Sequence, residues 1–272
     1  MNSLAKRTLS SLVFGPVILI AAWFGGIWLQ LFVWAVIILG IIEFCKLIKR
    51  SKNVNLYTIL LVVIEIGITT FIYFHHLNLN IVYCYFFSIL IIMGFDVITG
   101  KFNHLLERIS YSLFTLVYIS LIEFLYLVRV LENGRAYLLI LFILIWITDT
   151  AAYFIGAKWG RHRGIFKVSK NKSLEGFVGG IVAAFLFAYL LNILATILSS
   201  SYQFTSYIVL TYGVIGGVFG QLGDLMESAL KRDFNVKDTS NLIPGHGGVL
   251  DRFDSMLISA PLLYFSLTVL GI

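Results

Sequence analysis

The run Phe177-Val-Gly-Gly-Ile-Val-Ala-Ala-Phe-Leu-Phe-Ala-Tyr-Leu-Leu-Asn-Ile-Leu-Ala-Thr-Ile-Leu198 decides the fold, because its 22 residues include no charged side chain. A hydrocarbon layer about 30 Å thick takes about 20 apolar residues in a helix. Here the apolar residues would cover every side of that helix, whereas a barrel strand would alternate apolar and polar residues. A segment in lipid must satisfy its own backbone hydrogen bonds, which a helix does and an isolated strand does not. The run is therefore read as a membrane-spanning helix.

Outward from this run the pattern recurs. Nine apolar runs cover residues 9–24, 27–48, 56–74, 81–95, 109–128, 137–155, 177–198, 207–222 and 256–270. The whole chain is 59% hydrophobic and 12% charged, with a mean hydropathy of +0.93. A soluble domain carries about 25% charged residues, so composition excludes a soluble enzyme and a disordered chain alike. The expected fold class is all-α: a polytopic integral membrane bundle of about nine transmembrane helices. Lys6 and Arg7 precede the first run, but no small-residue cleavage site follows it, so no cleavable signal is read. Cys45 and Cys84 stand apart, without the spacing of a metal knuckle or a disulfide framework.

The net charge of +6 is read as orientation and not as a nucleic-acid footprint. With the N-terminus cytoplasmic and the C-terminus outside, 18 of the 20 Lys and Arg residues fall on the cytoplasmic side, leaving only Arg129 and Arg135 outside. Retention of Lys and Arg in cytoplasmic loops gives that bias, and a miscounted span would scramble it. The expected organisation is an N-terminal set of about five spans over residues 1–135, followed by a catalytic region over 136–272. The cytoplasmic loops 156–176 and 224–254 belong to that second region.

Those two loops hold the polar chemistry. Eighteen of the chain's 34 charged residues lie within 149–176 and 224–254. The first window has a surplus of four positive charges and the second a surplus of two negative ones. Wet cytoplasmic loops account for the basic window, but carboxylates contribute little to topology. On a helix, Asp224 and Ser228 would be neighbours one turn apart, as would Glu227 and Lys231. Asp251 and Asp254 share a face at the start of the last run. Carboxylates at two helix ends suit a hard divalent cation that also binds phosphate oxygens. Asp149 ends a mostly apolar stretch of twelve residues, where an ionisable group costs at least about 2.5 kcal/mol. It is expected to face a cavity, a partner or an ion. Glu43, Glu65, Asp96 and Glu123 also lie in apolar runs and are read as structural. Gly245, Gly247 and Gly248 allow close backbone approach, as in loops whose N–H groups cradle phosphate.

The 27 residues Ser228-Ala-Leu-Lys231-Arg232-Asp-Phe-Asn-Val-Lys237-Asp238-Thr-Ser-Asn-Leu-Ile-Pro244-Gly-His246-Gly247-Gly248-Val-Leu-Asp251-Arg252-Phe-Asp254 resemble the signature of phosphatidate cytidylyltransferases, or CDP-diacylglycerol synthases. Asp149-Thr-Ala-Ala-Tyr153 and Lys172-Ser173-Leu-Glu175 are similar to two further family motifs, although Ser173 stands where the family usually has Thr. The resemblance is specific for about residues 149–254. It implies transfer of the cytidylyl group of CTP to phosphatidic acid, giving CDP-diacylglycerol and pyrophosphate. It also implies Mg²⁺, with Asp224 and Asp251 as ligands, a second, monovalent cation such as K⁺, and a homodimer.

Both reactants are polyanions, so metal, Lys and Arg must neutralise charge on the attacking and leaving oxygens. On this reading Asp149 and Asp254 support the metal, and Lys231, Arg232, Lys237 and Arg252 meet phosphates. Asp238 is grouped with these catalytic candidates. Residues 244–248 supply backbone donors, and Asp149, Tyr153, Lys172, Ser173, Glu175, Ser228, Gly247 and Gly248 bind substrate. A lipid phosphate needs no strong base, so His246 is assigned to phosphate contact or the leaving group. A related enzyme using CTP with an isoprenoid acceptor remains an alternative. An ion or solute transporter would instead show midplane charges in paired inverted repeats, and no repeat is visible. Absence of a targeting peptide and the charge bias favour a bacterial inner membrane, with the site on the cytoplasmic face.

Overall fold

The computed structural model describes residues 3–49, 56–75, 80–100, 105–198, 206–240, 242–243 and 247–270. Among the described residues there are nine helices and no strand, only two isolated bridge pairs. In chain order they are α1 (Ser3–Phe24), α2 (Gly26–Lys49), α3 (Leu56–His75), α4 (Asn80–Ile98), α5 (Leu105–Val130), α6 (Gly134–Trp159), α7 (Leu174–Leu198), α8 (Ser206–Asp233) and α9 (Leu250–Leu270). Each of the nine apolar runs falls within one of them. Among the described residues, six helices are long and apolar enough to cross a membrane: α2, α3, α5, α6, α7 and α8. In α1 and α4 the described apolar stretches are shorter, Phe14–Phe24 and Val82–Ile98. Of the basic residues that set the orientation, Arg50, Lys52 and Lys101 lie outside the described residues.

The helices run beyond the apolar stretches in two places that matter. Helix α8 continues from residue 222 to Asp233, and α9 begins at Leu250, six residues before its apolar run. Hydropathy marks what lipid solvates and does not mark where a helix ends. The extensions suit the helix dipole, with Lys231 and Arg232 in the last turn of α8 and Asp251 in the first turn of α9.

The chain packs into two compact units, one of residues 1–127 with 238–250 and the other of 128–237 with 251–272. In the first unit, Leu29, Val33, Ile37 and Ile41 of α2 form a stripe at i, i+4 spacing, each at most 1% exposed. Leu116, Ile119 and Ile122 of α5 are buried in the same unit. Its acidic residues find different partners. Arg108 Nε donates to Asp96 Oδ2 at 3.2 Å, and Gln30 Nε2 donates to Glu123 Oε2 at 3.1 Å. Glu65 is fully buried, and neither carboxyl oxygen has a hydrogen-bond partner among the described residues. Cys45 is buried and Cys84 half-buried, and neither is in a disulfide among the described residues.

In the second unit α6 packs along α7, with Leu138, Leu141, Phe142 and Leu144 buried. The Tyr212 hydroxyl donates to the Tyr137 carbonyl at 2.8 Å, tying α8 to α6. Within α8, residues Ile215–Phe219 form a π-helical turn. Such wide turns strain the regular ladder, and polar side chains meet its carbonyls here. Gln221 Nε2 donates to Gly217 O at 2.6 Å and to Phe177 O at 3.0 Å, and Ser259 Oγ donates to Ile215 O at 3.5 Å.

Candidate active site

Two helix ends of the second unit come together because one residue has no side chain. A Cβ on Gly223 would lie 2.6 Å from Asp254 O and 3.0 Å from Ser255 Cα. Glycine therefore lets α8 approach the start of α9, which brings the carboxylates following it, Asp224 and Glu227, near Asp251 and Asp254.

Each of the two leading carboxylates is met by a lysine. Asp224 Oδ2 is 2.5 Å from Lys172 Nζ, an ion pair about 30% exposed on both sides. Ser228 Oγ lies 3.4 Å from the other oxygen, Asp224 Oδ1. Asp251 Oδ1 accepts from Lys231 Nζ at 2.6 Å, and here both side chains are at most 10% exposed. Glu227, 2% exposed, lies 3.4 Å from the same Lys231 ammonium and faces Asp254. One buried cation thus serves two carboxylates. Asp254 is half-buried, and its Oδ1 accepts the Ser255 backbone N–H at 2.6 Å. Asp149, on the accessible side of α6, lies in the field of Asp254 and Asp224, opposed by Lys172 and Arg252.

The basic loop is shaped by its own polar groups. Ser173 caps α7, its hydroxyl accepting the Gly176 N–H at 3.1 Å. Glu175 accepts the His162 backbone N–H at 3.1 Å and contacts His162 Nδ1 at 2.5 Å. Leu174 N donates to His162 O at 3.0 Å, so the loop closes on the first turn of α7. Arg163 Nη2 caps α6 by donating to Gly156 O at 2.9 Å. These contacts hold Lys172 at the edge of the carboxylate cluster.

The remaining expected residues are distributed as follows. Arg232 is exposed and donates to Val168 O at 3.3 Å and Val236 O at 2.8 Å, linking the end of α8 to the basic loop. Lys237, Arg252 and Tyr153 are exposed in the second unit. Asp238, Gly247 and Gly248 belong to the first unit, where Asp238 is exposed and Ile243 N donates to Gly247 O at 2.9 Å. His246, with Pro244 and Gly245, lies outside the described residues.

The cluster presents oxygen donors throughout, the ligand type of a hard cation such as Mg²⁺, which takes one or two carboxylates plus phosphate and water oxygens. Among the described residues no three acidic, His or Cys side chains converge as a ready-made cage. The residues present fit a metal bound jointly with substrate phosphates, with the lysine ammonium groups on Asp224 and Asp251 standing where positive charge is wanted. Glu227 was not among the expected site residues. For Glu227, its i, i+4 spacing to Lys231 was the available signal.

A profile described as the cytidylyltransferase family matches residues 5–270. A Bacillus subtilis protein named phosphatidate cytidylyltransferase is 38% identical over 185 residues, 67% of this chain and 66% of its own length. Proteins of the same name from Staphylococcus saprophyticus and Staphylococcus aureus are 39% and 40% identical over 154 residues, 57% of each chain. The chain thus spans between 57% and 66% of the length of these curated relatives.

Proposed function

Because this chain belongs to the cytidylyltransferase family, we propose that it transfers the cytidylyl group of CTP to phosphatidic acid, releasing pyrophosphate. A phosphate oxygen of the lipid attacks the α-phosphorus of CTP. The bond from that phosphorus to the bridging oxygen breaks, and pyrophosphate leaves with the electron pair. The attacking oxygen is already ionised at neutral pH, so no residue has to remove a proton.

The observation that carries this reading is the pair of Lys–Asp contacts, Lys172–Asp224 and Lys231–Asp251, on the motif positions of the second unit. Mg²⁺ held by Asp224 and Asp251, with Asp149 and Asp254 beside them, would supply charge neutralisation at the phosphates. Lys172 would move from Asp224 to a nucleotide phosphate, since an ion pair about 30% exposed is held weakly. Lys231 keeps Asp251 and Glu227 in place through its buried contacts. Arg232, Lys237 and Arg252 are the exposed cations available to the lipid phosphate and the leaving group. The acyl chains would stay in lipid.

We also read the chain as crossing a bacterial inner membrane nine times, with its N-terminus and active site cytoplasmic, and as working as a homodimer with a monovalent cation. The bias of 18 of 20 basic residues to one side supports the orientation. The direct test incubates purified protein with radiolabelled CTP, phosphatidate and Mg²⁺ and then extracts lipid. Label in the lipid phase is expected. Its absence from folded protein would overturn the assignment, and label transferred only to an isoprenoid phosphate would redirect it to another acceptor.

A further inference from the structure

Glu43 of α2 is 3% exposed, and its described partners are all hydrogen-bond donors from one distant segment. Oε1 accepts the Val249 N–H at 2.9 Å and the Ser240 hydroxyl at 2.6 Å. Oε2 accepts the Leu250 N–H at 3.0 Å and the Thr239 hydroxyl at 3.2 Å. A single carboxylate thus ties residues 239–240 to residues 249–250. The Val249 amide lies just before α9 and the Leu250 amide opens it, where N–H groups lack helical partners and a negative charge is favoured. The seat is closed to any side chain at position 248. A Cβ on Gly248 would lie 2.6 Å from Oε2 and 2.8 Å from Oε1. The second glycine of His246-Gly247-Gly248 therefore has a use inside the protein, apart from any ligand.

The clamped segment is flanked in the chain by Lys237-Asp238 on one side and Asp251-Arg252 on the other, all of them candidates for phosphate or metal contact. We propose that Glu43 is a positioning residue for the glycine motif: it ties residues 239–240 to residues 249–250 and so fixes both ends of the segment that carries Gly247 and Gly248. In this way it sets where the backbone of Gly247 and Gly248 is presented to the nucleotide. Its effect on turnover rests on the cytidylyltransferase reading above, but the clamp itself does not. A glutamate that only filled a core would be replaceable by glutamine at no cost to nucleotide affinity. A clamp would not be, because the glutamine amide turns a donor toward donors and loses half of the four contacts.

The test compares the full-length protein with Glu43→Gln in detergent, by hydrogen exchange and steady-state kinetics. Exchange of residues 239–250 is expected to speed up at least about tenfold. The KM for CTP should rise about 10- to 100-fold, the range for one or two lost charge-assisted contacts. The KM for phosphatidate should stay within about twofold. If Glu43→Gln does not fold, the double variant Thr239→Val with Ser240→Ala removes the two hydroxyl donors and leaves the helix contacts intact. It should shift exchange and CTP affinity in the same direction by a smaller factor, about three- to tenfold. Unchanged exchange and unchanged CTP affinity in the variant that folds would overturn the proposal. So would a loss of kcat with exchange at the wild-type rate. If the wild-type protein labels no lipid, the reaction assignment fails while the exchange comparison still decides the clamp.

Discussion

The two units each hold a carboxylate arrangement, and they solve the same electrostatic problem in opposite ways. In the second unit Asp224 and Asp251 are neutralised by lysines at 2.5 and 2.6 Å. In the first unit Glu43 is surrounded by two hydroxyls and two backbone amides. A lysine is a flexible point charge that can exchange one anion for another. A backbone amide at a helix start cannot leave. Residues whose partners can be traded suit a site where phosphates and metal come and go, and residues whose partners are fixed suit the scaffold that presents them.

The largest expected effect removes a carboxylate from the lysine-paired set. Asp251→Asn should lower kcat on the order of 10³-fold, about 4 kcal/mol of transition-state stabilisation, with normal expression. Activity near wild type would remove Asp251 from the metal site. Chelation should come next: EDTA should reduce lipid labelling to background and added Mg²⁺ should restore it. Turnover that persists in EDTA would break the metal half of the comparison.

Lys231→Met sharpens the contrast between buried and accessible pairs. It strands Asp251 and Glu227 without their shared cation, and breaking a buried pair costs about 3–5 kcal/mol. A fall in Tm measured in detergent checks it, and an unchanged Tm would mean that Lys231 is not structural. Lys172→Ala is the mildest change, since its pair with Asp224 is about 30% exposed and such pairs contribute about 0–1 kcal/mol. Its Tm should hold while the KM for CTP rises roughly tenfold, one phosphate contact's worth. A large Tm loss with an unaltered KM would reverse the roles given to the two lysines.

How much of this was legible in sequence depended on whether the signal was local. The 22 uncharged residues 177–198 and their counterparts marked every helix, because lipid demands apolar residues continuously along the chain. Asp149, Asp224 and Asp254 were visible as charges where charge is scarce, and they share one field in the structure. The helix extensions were less legible: the charged turns 223–233 and 250–255 look like loop to a hydropathy reading. The approach at Gly223 was invisible, because a glycine between Leu222 and Asp224 carries no trace of what comes against it. Glu43 was read as structural from its apolar neighbours. Its four donors come from residues 239–250, and one sequence without a fold cannot bring them near α2.

The π turn at Ile215–Phe219 has a consequence for the geometry of the whole terminal half of α8. Each residue of an α-helix advances the azimuth by about 100°, so the wide turn acts as a phase offset. It sets the compass bearing of residues 220–233 independently of the lipid-facing pattern of residues 206–214. Straightening the turn to a regular spiral at the same residue count would swing Asp224 by most of one residue's advance, up to about 100°, away from Lys172. The membrane helix would keep its place in the bilayer while its carboxylate pointed elsewhere.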